Sequence, residues 1–370
     1  MYQKIADELI DKIEKGELRS GDKLPTEVEL GEAYGVSRIT VTHAIRTLQN
    51  RNLVYRVKGS GTFISKRNGA GGDARSSTGI LFVSVIFPQG EQYGAHETLM
   101  GIESECAKGE FFVTFHNSKN KHVLEHGIIT NLLDQGCGGI IIYPCFSAHH
   151  NAGIFSDLVI RDFPVVFIDR HPDFLSAPFV ACDNGPAMRT LVAHLIERGH
   201  RRIGFFCNSI EAVPSEHERF KGYCEAHIAA GLHLDPGLVF RRSRNLENPV
   251  DILDMDQSFR EDYAGQALSH YRELPERPTC IAAVNDGLAM ALMRAALARG
   301  IRVPSELAIT GFDDLNVAAH LEVPLTTIRQ PFHLIGSEAA RLLMGRIRGN
   351  ARADAEIRVP AEVVIRDSAP

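Results

Sequence analysis

Helical spacing of apolar residues dominates the start of the chain, and strand-like alternation follows it. From Ile5 to Ile13 the apolar residues recur at intervals of three and four, which predicts a helix that buries one stripe. Thr26 and Glu29 have the spacing of a capping box, in which each side chain accepts a hydrogen bond from the other residue's free amide. Gly35 predicts the end of that second helix.

A further helix and a hairpin complete this first segment. Ser37 is a helix-capping residue, and the helix that it starts is predicted to run from Arg38 to about Asn50. Two helices joined by a tight Gly-Val-Ser turn predict a helix-turn-helix. Residues 53–64, LVYRVKGSGTFI, then alternate apolar and polar positions on either side of Lys58–Gly61, which predicts a β-hairpin, or wing.

From Ile80 onward, short apolar runs alternate with helical patterns. The runs are ILFVSVIF, FFVTF, GIIIY, PVVFID, RIGFFC, CIAAVN and LAITGF. They are apolar on both faces, which is typical of parallel strands covered by helices on both sides. The predicted fold is therefore an α+β winged helix-turn-helix over residues 1–66, a Gly- and Ser-rich linker over 67–79, and an α/β domain with parallel sheets over 80–370. The last domain is long enough for two lobes, and we expect the chain to cross between them near 169, 312 and 330.

Charge is distributed unevenly along the chain. The formal net charge is −6, but residues 1–66 carry 11 Lys and Arg against 9 Asp and Glu, whereas residues 67–370 carry 29 against 37. Residues 33–72 contain no acidic residue and seven basic ones. Such a basic tract in an otherwise acidic chain indicates a polyanionic partner.

Composition also bears on the compartment. No apolar run reaches the roughly 18 residues that span a bilayer, and the charged N-terminus is not typical of a signal peptide. We therefore expect a cytoplasmic protein with no membrane partner. The seven cysteines lack CxxC spacing, which favours buried small residues of a reducing compartment over a disulfide frame or a zinc site.

The exposed face of the second helix of the helix-turn-helix fits a major groove, where Arg can read guanine. The cationic wing, with two glycines at its tip, can approach phosphates or the minor groove. The candidate DNA-binding residues are Arg38, Thr40, Thr42, His43, Arg46, Lys58, Gly59, Ser60 and Gly61. The alternative is a helix pair that serves only packing, and the acid-free tract together with the wing favours DNA.

Polar residues follow several of the predicted strands, where open α/β sheets bind ligands. Asp169 and Arg170 follow PVVFI, Asp183 and Asn184 follow VAC, Asn285 and Asp286 follow CIAAV, and Arg219 lies on a helix after RIGFFC. Carboxylate, amide and guanidinium groups around one cleft suit a small polyol whose hydroxyls are all paired. Asp183 alone is more simply explained as a helix cap. Tyr93 and Tyr143 are further candidates for lining the cleft.

Enzyme signatures are missing from the second half of the sequence. It contains no GxGxxG after the first strand, no GxxxxGK[ST], no GxSxG and no HExxH. His122 and His126 have helical spacing, but no carboxylate or cysteine completes a metal set with them, so we interpret them as surface residues. We expect no enzyme activity, no metal and no cofactor.

Residues 2–65 closely resemble the GntR-family winged helix, and the signatures that carry this resemblance are GDKLPTE, GVSR-x-TV-x-x-A and GSGTF. The resemblance implies that Arg38 and Thr40 lie at the groove and that the hairpin tip around Gly59–Gly61 enters the adjacent minor groove. Val28 and Thr42 depart from the family's pattern, since many relatives carry Arg there. Arg46 and His43 are therefore expected to carry more of the base reading.

Residues 80–370 resemble the sensor domain of LacI-type repressors and the ribose-type periplasmic sugar-binding proteins. The matching stretches include PVVFIDR, CDNGPAMRTLVAHLIERGHRRIGFF, ERFKGY, AVNDGLAMALMRAALARGIRVPSELAITGFDD and LTTIRQPFHLIGSEAARLLMGRI. The resemblance implies a two-lobe cleft. It also implies effector contacts from Asp169, Arg170, Asn184, Arg219 and Asp286.

Together these features predict a homodimeric transcription regulator, a repressor, that binds a palindromic operator in double-stranded DNA. A small sugar, expected to be a monosaccharide, would close the lobes and release the DNA. Two alternatives stay open at this point. The sensor could instead read a partner protein or a phosphorylated metabolite, or the winged helix could be fused to a catalytic α/β domain. Only four lysines follow residue 67, and none has the small-residue strand-end setting of a Schiff-base lysine.

Overall fold

The computed structural model divides the chain into two units, residues 1–75 and residues 76–370. It describes residues 2–370 except for positions 16, 20, 38, 39, 43, 46, 47, 49–52, 58–60, 65–80, 89–93, 146, 147, 171, 173, 211, 212, 242–256 and 353. The boundary between the units falls in the Gly- and Ser-rich stretch at 67–79.

Short helices and a hairpin build the smaller unit. Helix α1 spans Tyr2–Glu14, helix α2 spans Glu27–Tyr34, and residues 40–42, 44, 45 and 48 are also helical. Strand β1, Val54–Val57, pairs antiparallel with strand β2, Gly61–Ile64. The apolar side chains of these elements share a core made of Ile5, Leu9, Ile13, Leu24, Leu30, Val41, Ala44, Ile45, Leu48, Val54 and Ile64.

Local capping sets the turn between α2 and the following helix. The Glu29 amide donates to Thr26 Oγ1 at 3.3 Å, and the Thr26 amide donates to Glu29 Oε2 at 2.7 Å. Gly35 ends α2 with a φ of 62°, a conformation that glycine adopts without steric cost. Ser37 Oγ accepts a hydrogen bond from the Thr40 amide at 3.4 Å and so caps the next helix.

A six-stranded parallel sheet forms the first lobe of the larger unit. Its strands are β3 Leu81–Phe87, β4 Phe111–Asn117, β5 Gly139–Ile142, β6 Val165–Ile168, β7 Phe179–Cys182 and β13 Glu356–Val359. The order across the sheet is β13–β7–β6–β5–β3–β4. Its helices are α3 Ala95–Lys108, α4 His122–Asp134, α5 Ala152–Ile160 and α10 Phe332–Ile347. In β5, Ile141 packs into the core on one face, and Ile140 and Ile142 pack into the core on the other.

A four-stranded parallel sheet forms the second lobe. Its strands are β8 Ile203–Cys207, β9 Val239–Arg241, β10 Cys280–Ala283 and β11 Ala308–Thr310, in the order β11–β10–β8–β9. Its helices are α6 Asn184–Glu197, α7 Pro214–Ala229, α8 Gln257–Glu273 and α9 Asp286–Ala298. A short antiparallel pair, β12 Thr327–Arg329 with β14 Glu362–Val364, adjoins this lobe, and single 3-10 turns lie at Ala148–Asn151, Pro236–Leu238 and Asn316–His320. The larger unit therefore has the predicted α/β architecture with parallel sheets.

The crossings between the lobes differ from the prediction. The chain leaves the first sheet after β7, near 183, returns near 330 before α10, and crosses a third time near 360 between β13 and β14. The expected crossings near 169 and 312 are wrong. The strands on either side of 169, β6 and β7, are neighbours in one sheet, and Thr310 and Thr326 form a parallel bridge across 312. Asp169 and Phe312 each lie just after a strand, at the edge of a sheet, and do not mark a change of lobe.

Candidate functional site

Three of the predicted effector residues meet at one edge of the first sheet. Tyr143 follows β5, and Asp169 and Arg170 follow the neighbouring strand β6, so the carboxyl ends of the two parallel strands bring them together. The Tyr143 hydroxyl donates to Asp169 Oδ2 at 2.5 Å, and the Arg170 guanidinium carbon lies 4.8 Å from the centre of the Tyr143 ring. Arg170 Nη1 also donates to the Pro144 carbonyl oxygen at 3.2 Å.

The protonation of this cluster follows from its burial. Burial raises the pKa of Tyr143 well above its ordinary value, and the nearby Asp169 raises it further, whereas Arg170 opposes the shift. The phenol therefore keeps its proton and acts as a donor. Asp169 adopts a left-handed backbone with a φ of 60°, which is uncommon outside glycine and occurs often at functional sites.

The second lobe contributes Asn184 and Arg219. Asn184 begins α6 directly after the crossing from β7, and Arg219 lies on α7. Arg219 is 5% exposed, its Nε donates to Asn184 Oδ1 at 2.9 Å, and its Nη1 donates to the Val284 carbonyl oxygen at 2.7 Å. The guanidinium carbon sits 3.7 Å from the centre of the Phe312 ring. A guanidinium held in plane by two hydrogen bonds and an aromatic face is oriented for bidentate recognition.

A chain of hydrogen bonds links this arginine to the first lobe. Asn184 Nδ2 donates to Glu218 Oε2 at 2.9 Å, and Arg358 Nη1 lies 2.8 Å from Glu218 Oε1. Arg358 belongs to strand β13 of the first sheet, whereas Glu218 belongs to helix α7 of the second lobe. The orientation of Arg219 is therefore coupled to the contact between the lobes.

Asp286, at the start of α9, bonds to two other segments of the chain. It is fully buried, its Oδ1 accepts from Thr327 Oγ1 at 2.5 Å, and its Oδ2 accepts from the Leu315 amide at 2.9 Å. A Cβ at Gly311 would lie 2.1 Å from Asp286 Oδ1. Each carboxylate oxygen thus accepts a hydrogen bond from one protein donor, and the expected effector contact of Asp286 stays a prediction. Asp286 also holds the segment 311–315 against the start of α9.

Two residues that the sequence analysis did not select belong to the same region. Asp313 follows β11, is 6% exposed and accepts from Gln330 Nε2 at 2.6 Å, and Gln330 Oε1 has no hydrogen-bond partner among the described residues. Burial raises the pKa of Asp313 to about 7, with Asp286 and Asp169 adding to the shift and Arg219 and Gln330 opposing it. The strand-end rule that selected Asp169 would also have found Asp313, since Gly-Phe-Asp follows LAIT directly.

Two further strand-end residues, Asn285 and Asp183, lie at the starts of helices. Asn285 caps α9, where its Oδ1 accepts from the Leu288 amide at 2.8 Å. Asp183 occupies the capping position before α6, although its side chain makes no capping hydrogen bond. Tyr93 lies outside the described residues.

The predicted DNA-binding surface is described only in part. Arg38, His43 and Arg46 on the helix, and Lys58, Gly59 and Ser60 on the wing, lie outside the described residues. Thr40 Oγ1 is 3.0 Å from Ser37 Oγ, and the exposed Thr42 donates to Glu27 Oε2 at 3.3 Å. Gly61 has a φ of 126°, and a Cβ there would lie 2.6 Å from Lys23 Cε, so this position requires glycine for the backbone of the wing.

The described residues form neither a metal site nor a membrane-spanning helix. There, no group of three or more His, Cys, Asp or Glu side chains is arranged to hold a metal ion. The predicted surface histidine His122 instead stacks on His150, with ring centres 4.5 Å apart. None of the helices in the described part of the chain combines the length and the apolar character needed to cross a bilayer.

Comparison with known proteins supports both resemblances inferred from the sequence. Residues 1–64 match the model of bacterial regulatory proteins of the gntR family, and residues 192–369 match the model of a periplasmic binding protein-like domain. The chain is 30% identical over 380 residues to the arabinose metabolism transcriptional repressor of Halalkalibacterium halodurans, covering 99% of this chain and 96% of that protein.

Other relatives cover about three quarters of this chain. The HTH-type transcriptional repressor CytR of Escherichia coli strain K12 is 30% identical over 272 residues, which is 74% of each chain. Among solved structures, the transcription regulator GntR from Chromobacterium violaceum superposes with a TM-score of 0.64 at 26% identity, covering 78% of this chain and 99% of that one.

Proposed function

Since the chain belongs to the gntR family of bacterial regulatory proteins and carries a periplasmic binding protein-like domain, we propose that it is a homodimeric repressor of sugar-utilisation genes that a monosaccharide releases from its operator. The observation that carries the sensor half of this proposal is Arg219. Its guanidinium is buried, planar and fixed between Asn184, Val284 and Phe312 at the carboxyl ends of the strands. A small polyol with adjacent hydroxyls is the ligand that such a set of fixed donors and acceptors suits.

The winged helix is proposed to read the operator. Arg38, Thr40, Thr42, His43 and Arg46 would face the major groove, and residues 58–61 would reach the phosphates or the minor groove. The support is the tract at 33–72, which is basic and free of carboxylates. The described part of the hairpin, with its antiparallel register from Val54–Ile64 to Val57–Gly61, is compatible with a wing whose tip is residues 58–60.

Self-association is supported by an exposed apolar edge. Strand β4 ends the order of the first sheet, and an unpaired strand edge is a site for association. Phe112 on β4 is 58% exposed and Phe82 on β3 is 42% exposed, and their rings lie 5.9 Å apart. Two exposed phenylalanines beside an open edge favour a second copy of this chain as the occupant. A twofold dimer matches a palindromic operator.

Effector binding is proposed to act by closing the two lobes. The first lobe contributes Tyr143, Asp169 and Arg170 to the proposed site, and the second lobe contributes Asn184, Arg219 and Asp313. Tyr93 and Gln330 are further proposed members of the site. Asp169 contributes to the raised pKa of Asp313, which supports one cleft between the two clusters. A ligand bonded to both clusters would stabilise the closed arrangement. A preference of a few kcal/mol for the state with low DNA affinity is enough to release the operator.

The sensor half is tested by calorimetric titration of the full chain with L-arabinose, D-ribose, D-xylose, D-galactose and their phosphates. Arg219→Met should weaken binding by about 10- to 100-fold, because it removes the charged donor and leaves its acceptors unpaired. The matched control is Arg189→Met, since Arg189 lies exposed on the neighbouring helix α6. Binding of sugar phosphates alone would assign the effector to phosphorylated metabolites. If none of these compounds binds, the sensor proposal fails.

The DNA half is tested separately by fluorescence anisotropy on operator duplexes selected from random DNA. Lys58→Ala should lower the slope of log affinity against log salt by about 1, because one phosphate contact is lost. Arg46→Ala should reduce discrimination between bases by about 1–3 kcal/mol. Arg19→Ala, an exposed residue outside the basic tract, is the control. Equal affinity for all duplexes at all positions would contradict sequence-specific reading.

A further inference from the structure

An unpaired acceptor is buried at the end of strand β8. Asn208 follows Cys207 directly and is 7% exposed. Its Nδ2 donates to Glu216 Oε1 at 2.8 Å, and its amide donates to Glu216 Oε2 at 2.9 Å. Asn208 Oδ1, in contrast, has no hydrogen-bond partner among the described residues. A buried acceptor without a donor is rare in folded proteins and asks for an explanation.

Glu216 decides which way this amide points. It is 5% exposed, lies on helix α7 one turn before Arg219, and also accepts from the Ser209 amide at 2.9 Å. A carboxylate offers only acceptors, so the NH2 group of Asn208 must face it. Because the side-chain amide is planar, its oxygen then faces away from the helix. The Glu216 carboxylate therefore holds the Asn208 side chain in one orientation, with Oδ1 facing away from helix α7.

The register of the sheet brings Asn208 to the strand ends where the proposed effector residues lie. Strands β8 and β10 are parallel neighbours in which Phe206 is opposite Ala283, and continuing this register by two residues puts Asn208 level with Asn285. Val284 lies between Ala283 and Asn285. Its carbonyl oxygen accepts a hydrogen bond from Arg219 Nη1, and its amide donates to the Phe206 carbonyl oxygen at 2.8 Å. Asn208 thus belongs to the same strand-end edge as the arginine that carries the proposed function.

We propose that Asn208 is a specificity-determining residue of the effector site, whose Oδ1 accepts a hydrogen bond from one hydroxyl of the effector. Glu216 is its positioning residue, because it fixes the amide with the oxygen outward. This inference rests on the proposed function, in which the effector is a sugar. It also adds a restriction: the effector carries a donor at this position. A phosphate, which offers acceptors and negative charge, is disfavoured there beside the Glu216 carboxylate.

The test is a double-mutant cycle between the protein and the ligand. Calorimetry first identifies which of L-arabinose, D-ribose, D-xylose and D-galactose binds the wild type most tightly. Each monodeoxy derivative of that sugar is then titrated into the wild type, Asn208→Ala and Glu216→Gln. In the wild type, one deoxy sugar should bind about tenfold more weakly than its parent because it leaves Asn208 Oδ1 unpaired. In Asn208→Ala, the same two sugars should bind within about twofold of each other.

Glu216→Gln separates positioning from mere packing. A glutamine can donate to Asn208 Oδ1 and so turn the amide or occupy the acceptor. The ratio between parent and deoxy sugar should then fall toward one, as in Asn208→Ala, although Asn208 itself is present. Asn131→Ala, an exposed residue on helix α4, is the matched control and should keep the wild-type ratio. Asn208→Ser serves as the second variant if Asn208→Ala does not fold.

The outcomes are distinguishable. If the wild type binds a sugar but every deoxy ratio is the same in the wild type and in Asn208→Ala, the role of Asn208 is overturned and the sugar sensor stands. A tighter complex with the derivative that carries a phosphate at the same carbon also overturns it. If no sugar binds the wild type, the sugar sensor and the role of Asn208 fall together.

Discussion

Because Asp313 is buried, we expect the free energy of unfolding to decrease as the pH rises. Its carboxyl group is 6% exposed and is held by Gln330, and burial raises its pKa from 3.8 to about 7. Asp313→Asn keeps the shape and the acceptor oxygen for Gln330 but cannot ionise. The substitution therefore isolates the cost of placing a charge at this position.

The sign follows from proton binding in the two states. Because the pKa is higher in the folded protein than in the unfolded chain, the folded protein binds the proton more tightly between about pH 4 and pH 7. Wild-type stability therefore falls as the pH rises through this window and levels off above it. At about 1.4 kcal/mol per pH unit, the advantage of Asp313→Asn should grow by about 3 kcal/mol between pH 5 and pH 8.

The assay is urea unfolding of the full chain followed by circular dichroism at pH 5, 6, 7 and 8. Burial also raises the pKa values of Glu125, Glu216 and Asp286, so the wild-type curve alone contains several contributions of the same sign. The difference between Asp313→Asn and the wild type removes the contributions of Glu125 and Glu216 and keeps the interaction between Asp313 and Asp286. Asp134→Asn, at an exposed position in α4, should show no such growth. A difference that stays constant from pH 5 to pH 8 would refute the reasoning.

Three further substitutions test the site and its support. Tyr143→Phe removes the 2.5 Å donor to Asp169, and calorimetry should show about tenfold weaker sugar binding; unchanged affinity would exclude the pair from the effector site. Arg358→Met breaks the link between the lobes and should weaken sugar binding severalfold. The midpoint of urea unfolding should stay near the wild-type value, whereas a role in stability alone would shift it. Gly222→Ala would place a Cβ 2.1 Å from the Gly185 carbonyl oxygen, so helices α6 and α7 must separate; urea unfolding should show a loss of about 1–3 kcal/mol, and wild-type stability would contradict the close packing.

The sequence alone determined the features that depend on neighbours in the chain. The capping box at Thr26 and Glu29, the left-handed Gly35 and the cap at Ser37 follow from contacts three or four residues apart, so their residue types suffice to predict them. The strands were equally predictable, because a run that is apolar on both faces can be buried only in a covered sheet. The strand-end rule also selected Asp169 and Arg170.

Only the tertiary structure decided which partners the strand-end carboxylates have. Asp286 and Asp313 both follow strands, yet Thr327 and the Leu315 amide donate to the first, whereas Gln330 donates to the second. The partners of a buried carboxylate come from segments far away in sequence, and their positions depend on sheet order and lobe crossing. The same holds for Asn208, whose orientation depends on a helix that follows it. Chain neighbours determine the elements, and long-range packing determines which of their polar groups remain unpaired.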